Sequence, residues 1–141
     1  TPIQRAIFSL FELARYEEFN LAEVLYISQA LEGLMVKKED PVQRTLAKRI
    51  RVIVGVPASH QNWVRDFYDL RSTIAHGNYP IVRHKTSHEE SAEVSQYHED
   101  YFVPLVRAVA ALLGILQDMI LEGASEYRFE QHETVSRVRV V

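Results

Sequence analysis

An arginine and a histidine, Arg71 and His76, stand near the end of the segment Trp63-Val-Arg-Asp-Phe-Tyr-Asp-Leu-Arg-Ser-Thr-Ile-Ala-His-Gly-Asn78. Arginine is charged at any physiological pH and presents a planar fork of donors that matches a phosphate. Histidine gives and takes protons near neutrality. A fixed cation and a proton carrier together are enough to cleave an RNA phosphodiester through its own 2′-hydroxyl, a reaction that needs charge stabilisation and proton transfer but no metal. The same pair also has an ordinary use. Arg71 can cover the core edge with its stem, and His76 can sit where a cation suits the C-terminal end of a helix dipole.

The elements that must position these side chains are helical. Ile3, Ile7, Leu10 and Ala14 recur with helical spacing and predict a first amphipathic helix of about 15 residues. Asn20 is placed to cap a second helix carrying Val24, Ile27, Leu31, Leu34 and Met35. Asp40-Pro41 predicts a third start, a capping side chain followed by proline at the first helical position, with an end near Gly55 or Pro57. Ser59 is the expected cap of the fourth helix, whose stripe is Trp63, Phe67, Leu70 and Ile74 and whose stop is Gly77. Residues 78–90 are polar and histidine-rich and read as a loop. A fifth element runs from about Ser91 to Leu121, with Pro104 expected to kink or divide it. Its second half is apolar nearly all round, which belongs at the centre of a bundle. The expected core joins the fourth-helix stripe to Leu31, Ile50, Leu112 and Leu116. After Gly123 the pattern weakens, and Val138 and Val140 alternating with Arg137 and Arg139 suit a short strand, a tail or a linker. The reading is an all-α up-and-down bundle of four to five main helices over residues 1–123, followed by a C-terminal tail or linker over 124–141.

Bulk composition constrains this further. The 141 residues suffice for one domain with its own core, and 47% hydrophobic with 25% charged residues are ordinary globular values. The absence of cysteine removes any disulfide framework or thiolate metal site. No signal-peptide pattern and no apolar run of membrane-spanning length stand out, so a cytoplasmic protein without a membrane partner is expected. The chain opens on Thr1 and closes on Ser-Arg-Val-Arg-Val-Val, ends that suit either a piece of a longer parent protein with further domains or the removal of a tag. A net charge of −3 does not attract a polyanion as a whole, so contact with RNA requires a local patch. Residues 37–51 supply one, with Arg44, Lys48 and Arg51 at helical spacing beside Lys37, Lys38 and Arg49. A solvated helix face explains the same spacing.

Turning the fourth helix by 100° per residue puts Arg71 roughly 80° from Trp63, and His76 roughly 140° away on the other side. One straight helix therefore does not join the two. They meet if the last turn unwinds, if Arg71 reaches around, or if two copies face each other across a two-fold axis. In the last case the polar shoulder of Asp69, Ser72, Thr73 and His76 is the natural contact face.

Tyr68-Asp-Leu-Arg-Ser-Thr-Ile-Ala-His-Gly77 resembles the signature of HEPN domains (higher eukaryote and prokaryote nucleotide-binding), in particular their Apea-like branch. Ala30-Leu-Glu-Gly-Leu-Met35 and Leu46-Ala-Lys-Arg-Ile50 are similar to two upstream segments of that branch, in the right order, so the likeness covers about residues 6–78. It implies a helical bundle that dimerises and places R-x(4–6)-H motifs in a metal-independent endoribonuclease site at the dimer interface. In those terms Arg71 holds and neutralises the scissile phosphate, His76 is general base or acid, and Ser72 assists by hydrogen bonding. No cofactor is implied. Family members without catalysis exist, so the alternative is a non-catalytic dimerisation or nucleotide-binding module.

The remaining candidates support or compete with that site. Glu32 falls at the edge of the apolar arc of the second helix, where a carboxylate usually has a partner, and Arg71 is the candidate, with Asp69 counted beside it as supporting. Tyr68 and Tyr79 flank the motif and are candidates to stack on a base; half-buried packing is the alternative. His84 and His88, four residues apart, have no third ligand in view, so no metal site is assigned. The expected function is endonucleolytic cleavage of single-stranded RNA by a homodimer joined through the fourth helix, in phage defence or a toxin–antitoxin pair.

Overall fold

The apolar repeat of about 3.6 residues gives each helix one face to bury, and in the computed structural model five helices bury those faces on one another. The structure describes residues 1–15, 21–55, 62–79, 96, 98–130 and 135–139. In chain order the helices are α1 (Pro2–Ala14), α2 (Ala22–Met35), α3 (Val42–Val54), α4 (Trp63–Ala75) and α5 (Val103–Leu121), and two strands follow, β1 (Ala124–Phe129) and β2 (Val135–Arg139). The chain is thus an all-α bundle with one small antiparallel hairpin after the last helix.

α2 is the hub, packing on α1, α3, α4 and α5. Its Val24, Ile27, Leu31 and Met35 are buried and meet Phe67 of α4, Leu46 and Ile50 of α3 and Leu112, Ile115 and Met119 of α5 in one core. The expected core residues are all buried except Ile74, which packs against the core half-covered. α1 packs chiefly on α2, where the small residues Ala6, Ser9 and Ser28 let the two helices approach. The two hydroxyls are satisfied within their own helices, Ser9 Oγ donating to the Arg5 carbonyl at 3.0 Å and Ser28 Oγ to the Leu25 carbonyl at 2.9 Å. α3 and α5 meet at Gly114, where a Cβ would stand 3.0 Å from Val54 Cγ1.

Several helix starts differ from expectation. Asp40 does not cap α3. Pro41 occupies the cap position, and the Asp40 carboxylate instead accepts from the Lys37 amide at 3.0 Å and from Arg49 Nη1 at 2.8 Å. α2 begins after Leu21 and α4 after Asn62, neither with a side-chain cap. Asn20, Ser59 and Pro57 lie outside the described residues. The fifth element changes character beside Pro104 without breaking: a π-helical turn over His98–Phe102 feeds directly into α5, whose second residue is Pro104. By length and composition Glu99–Leu121 is apolar enough to cross a membrane, against the expectation that no such run exists; in the bundle Ala108, Leu112, Ile115 and Met119 of this helix are core residues.

The segment after Gly123 pairs as a hairpin and docks on the bundle, with Ala124 and Tyr127 buried. Asp118 of α5 is the anchor. Arg137 of β2 donates to it through Nε and Nη2, both at 2.9 Å, and the Tyr127 hydroxyl donates to it at 2.8 Å. The Arg137 bonds first, then the tyrosine, hold the Asp118 carboxyl below its usual value of 3.8, against the opposing effect of burial. A depressed folded-state pKa contributes stability that is whole above the unfolded value and is lost as pH falls through the folded one. Chemical denaturation should therefore show stability falling below about pH 4, with Asp118→Asn flattening part of that fall. Asp40, lowered chiefly by the Lys37 amide bond, keeps the remainder. At neutral pH Asp118→Ala should cost about 2 kcal/mol, between exposed and buried ion pairs.

Candidate functional site

The end of α4 sets the geometry. The helix stays regular to Ala75, His76 is the C-cap, and Gly77 turns the chain with a φ of 70°. The Asn78 amide donates to the Thr73 carbonyl at 2.9 Å and the Gly77 amide to the Ile74 carbonyl at 3.0 Å, the paired bonds of a Schellman motif. Glycine is required there because a Cβ is unfavourable at positive φ. The imidazole is thereby carried at the rim, and His76 is exposed. Asp69 and Ser72 are exposed with it and Thr73 is half-buried, its hydroxyl donating back to the Asp69 carbonyl at 2.8 Å. The polar shoulder is thus an open face.

Arg71 lies on the other flank and reaches toward α2. Its Nη2 is 4.0 Å from Glu32 Oε1, with the arginine side chain 39% and the glutamate side chain 29% exposed. The same carboxylate oxygen accepts the Tyr68 hydroxyl at 2.8 Å, so Glu32 bridges two residues one helical turn apart on α4. Arg71 Nε is buried without a hydrogen-bond partner among the described residues. The arginine is therefore held from one side by a carboxylate and a packed stem while part of its fork faces solvent. No hydrogen bond joins Arg71 to His76 within the chain; the helix keeps them roughly 140° apart.

Tyr68 is not displayed for stacking. Its ring meets Phe67 edge-on at 5.7 Å, and burial first, then the bond to Glu32, push its hydroxyl well above the usual tyrosine value. Tyr79 is half-buried and tilts against the buried Tyr101 at 5.8 Å. Both take the packing role.

The basic segment divides. Arg44 and Lys48 line a groove of about 370 Å³ together with Lys37, Thr45 and Phe129. Arg49 closes its wall as a clamp, bonded to the Met35 carbonyl and to Asp40 and lying 4.3 Å over the Phe129 ring. Arg51 is exposed on α3 and does not line the groove. Its docking wall comes from the hairpin, which no pattern in residues 37–51 announces.

His84, His88, His60 and His132 lie outside the described residues. No three His, Asp or Glu side chains converge among the described residues. A second groove, about 530 Å³ along the α1–α2 seam, reaches Glu32, with Phe8, Tyr26 and Gln29 on its walls. Phe8 was legible only as an apolar residue off the α1 stripe.

No family model, curated protein or solved structure matches the chain.

Proposed function

We propose that this domain is a metal-independent endoribonuclease acting on single-stranded RNA, with its site completed between two copies through the polar shoulder of α4. The observation that carries the reading is the contrast at the end of α4: an exposed imidazole at the rim, and an arginine tethered by Glu32 with its fork partly open. These are the proton carrier and the phosphate clamp that the HEPN-like segment implies, and they lie on different flanks of one helix. A two-fold axis through Asp69, Ser72 and His76 sets two imidazoles in one cleft, and each arginine, roughly 140° round its helix, joins them by reaching around on its long stem; symmetric dimers use such self-complementary faces.

In that cleft the 2′-oxygen attacks phosphorus as His76 of one copy takes its proton. The bond to the 5′-oxygen breaks, and His76 of the other copy protonates the leaving oxygen. Arg71 neutralises the charge on the non-bridging oxygens and Ser72 donates a hydrogen bond. The products are a 2′,3′-cyclic phosphate end, or the 3′-phosphate derived from it, and a free 5′-hydroxyl. Arg44 and Lys48 supply a local positive field for the strand in a chain whose net charge is −3. We further propose a cytoplasmic protein acting in phage defence or a toxin–antitoxin pair.

The test is incubation of purified protein with total RNA in EDTA beside Arg71→Ala and His76→Ala, with end-group analysis and light scattering on the same samples. Cleavage confined to wild type, cyclic-phosphate ends and a dimer are expected. Intact RNA moves the chain to the non-catalytic binding-module reading. A clean monomer at micromolar concentration removes the shared site.

A further inference from the structure

The nuclease reading leaves the RNA base next to the scissile phosphate without a seat. Tyr68 and Tyr79, the aromatic residues nearest the motif in sequence, are occupied in packing. Among the described residues the exposed aromatic surface lies elsewhere, on α1, where Phe8 is 59% and Phe11 66% open to solvent. Phe8 stands on one wall of the α1–α2 groove and Tyr26 on the other, and at about 530 Å³ the groove lies within the range of small-molecule sites. Arg5 and Gln29 add donors and an amide acceptor to its rim.

Two features tie this groove to the arginine. Glu32 lines it, and Glu32 is the residue whose Oε1 holds Tyr68 and Arg71. Gly33 also lines it, and a Cβ at Gly33 would meet nothing within 4 Å, so the groove is open where α2 lacks a side chain. Glycine inside a helix costs roughly 0.5–1 kcal/mol against alanine, and no positive φ or close packing requires one at this position. What Gly33 provides is space.

We infer that the α1–α2 groove is a nucleobase subsite, seating one unpaired base of single-stranded RNA between Phe8 and Tyr26 beside the Arg71–Glu32 pair. The inference rests on the nuclease reading for its substrate. A base is a flat, largely uncharged ring with polar edges. Two aromatic walls suit its faces, and Gln29 and Arg5 suit its edges, as in other single-strand readers. A phosphate would find Arg5 as the sole cation among the lining residues of this groove and would face Glu32.

The experiment uses a short 2′-O-methyl RNA, which lacks the nucleophile for cleavage, carrying one 2-aminopurine whose fluorescence is quenched on stacking. Wild-type protein should quench it on binding. Phe8→Ala removes an exposed side chain, and Gly33→Leu fills the groove with a better helix former, so both should fold. Each should abolish the quenching and weaken binding by roughly tenfold or more, the usual effect of losing one base stack. Wild-type binding without quenching, no binding, or full quenching by both groove variants overturns the subsite. So does conversion of a dimer to a monomer by Phe8→Ala, which assigns the face to self-association. Cleavage of unmodified RNA without quenching removes the subsite and leaves the nuclease, whereas quenching without cleavage keeps the subsite and removes the nuclease.

Discussion

His76→Ala should leave the domain folded and slow RNA cleavage by about 10²–10⁴-fold, the usual range for losing general acid–base help. The fold does not depend on the imidazole. His76 is exposed, and the turn that follows is closed by the backbone bonds from Gly77 and Asn78. Alanine at that position preserves those bonds. A loss of rate with an unchanged thermal midpoint therefore separates chemistry from stability. The decisive measurement is single-turnover cleavage of single-stranded RNA in EDTA. If the alanine variant cuts as fast as wild type, His76 carries no proton in the reaction and the mechanism drawn above fails.

The bundle was readable because its signal is redundant. Val24, Ile27, Leu31 and Met35 repeat the helical period over one long face, and Phe67, Leu70 and Leu112 repeat it on the partners, so one misplaced residue changes nothing. Gly77 was readable for another reason: positive φ narrows the choice to glycine almost by itself. What the sequence hid was how polar groups share partners. Asp40-Pro41 has the pattern of a cap, yet the carboxylate is worth more to Arg49 and the Lys37 amide, because one bond set ties the α2–α3 connection, α3 and, through the arginine's stacking on Phe129, the hairpin. Glu32 was expected to meet Arg71. It lies 4.0 Å from that side chain and gives its shorter contact to Tyr68, whose place beside the motif left base stacking and half-buried packing both open. The hairpin was weakest of all. The alternation in β2 is only five residues long, and its anchor, Asp118, sits in an apolar helix where nothing marks it as a partner of Arg137.

Arg71→Lys should lose about 10²–10³-fold in cleavage although the charge is kept, the range found for removing one donor aimed at a developing negative charge. Lysine substitutes a compact ammonium for a planar fork, so two parallel bonds to phosphate oxygens become one mobile point contact. The local structure sharpens the expectation. The arginine's Nε is buried and its Nη2 lies 4.0 Å from Glu32, so the side chain leans toward α2 with part of its fork open. An ammonium on a flexible chain has no such fixed plane, and with Glu32 close by it can turn to the carboxylate and away from the phosphate. Glu32→Gln separates the two contributions. The amide oxygen still accepts from Tyr68, so packing is retained, but the arginine loses its carboxylate tether. That variant should cut more slowly than wild type and faster than Arg71→Lys, with the larger change in kcat. The readout is kcat and KM for both variants on one single-stranded substrate. Wild-type kcat in Arg71→Lys would mean that a point charge suffices, and the fork held by Glu32 would have no part in the reaction.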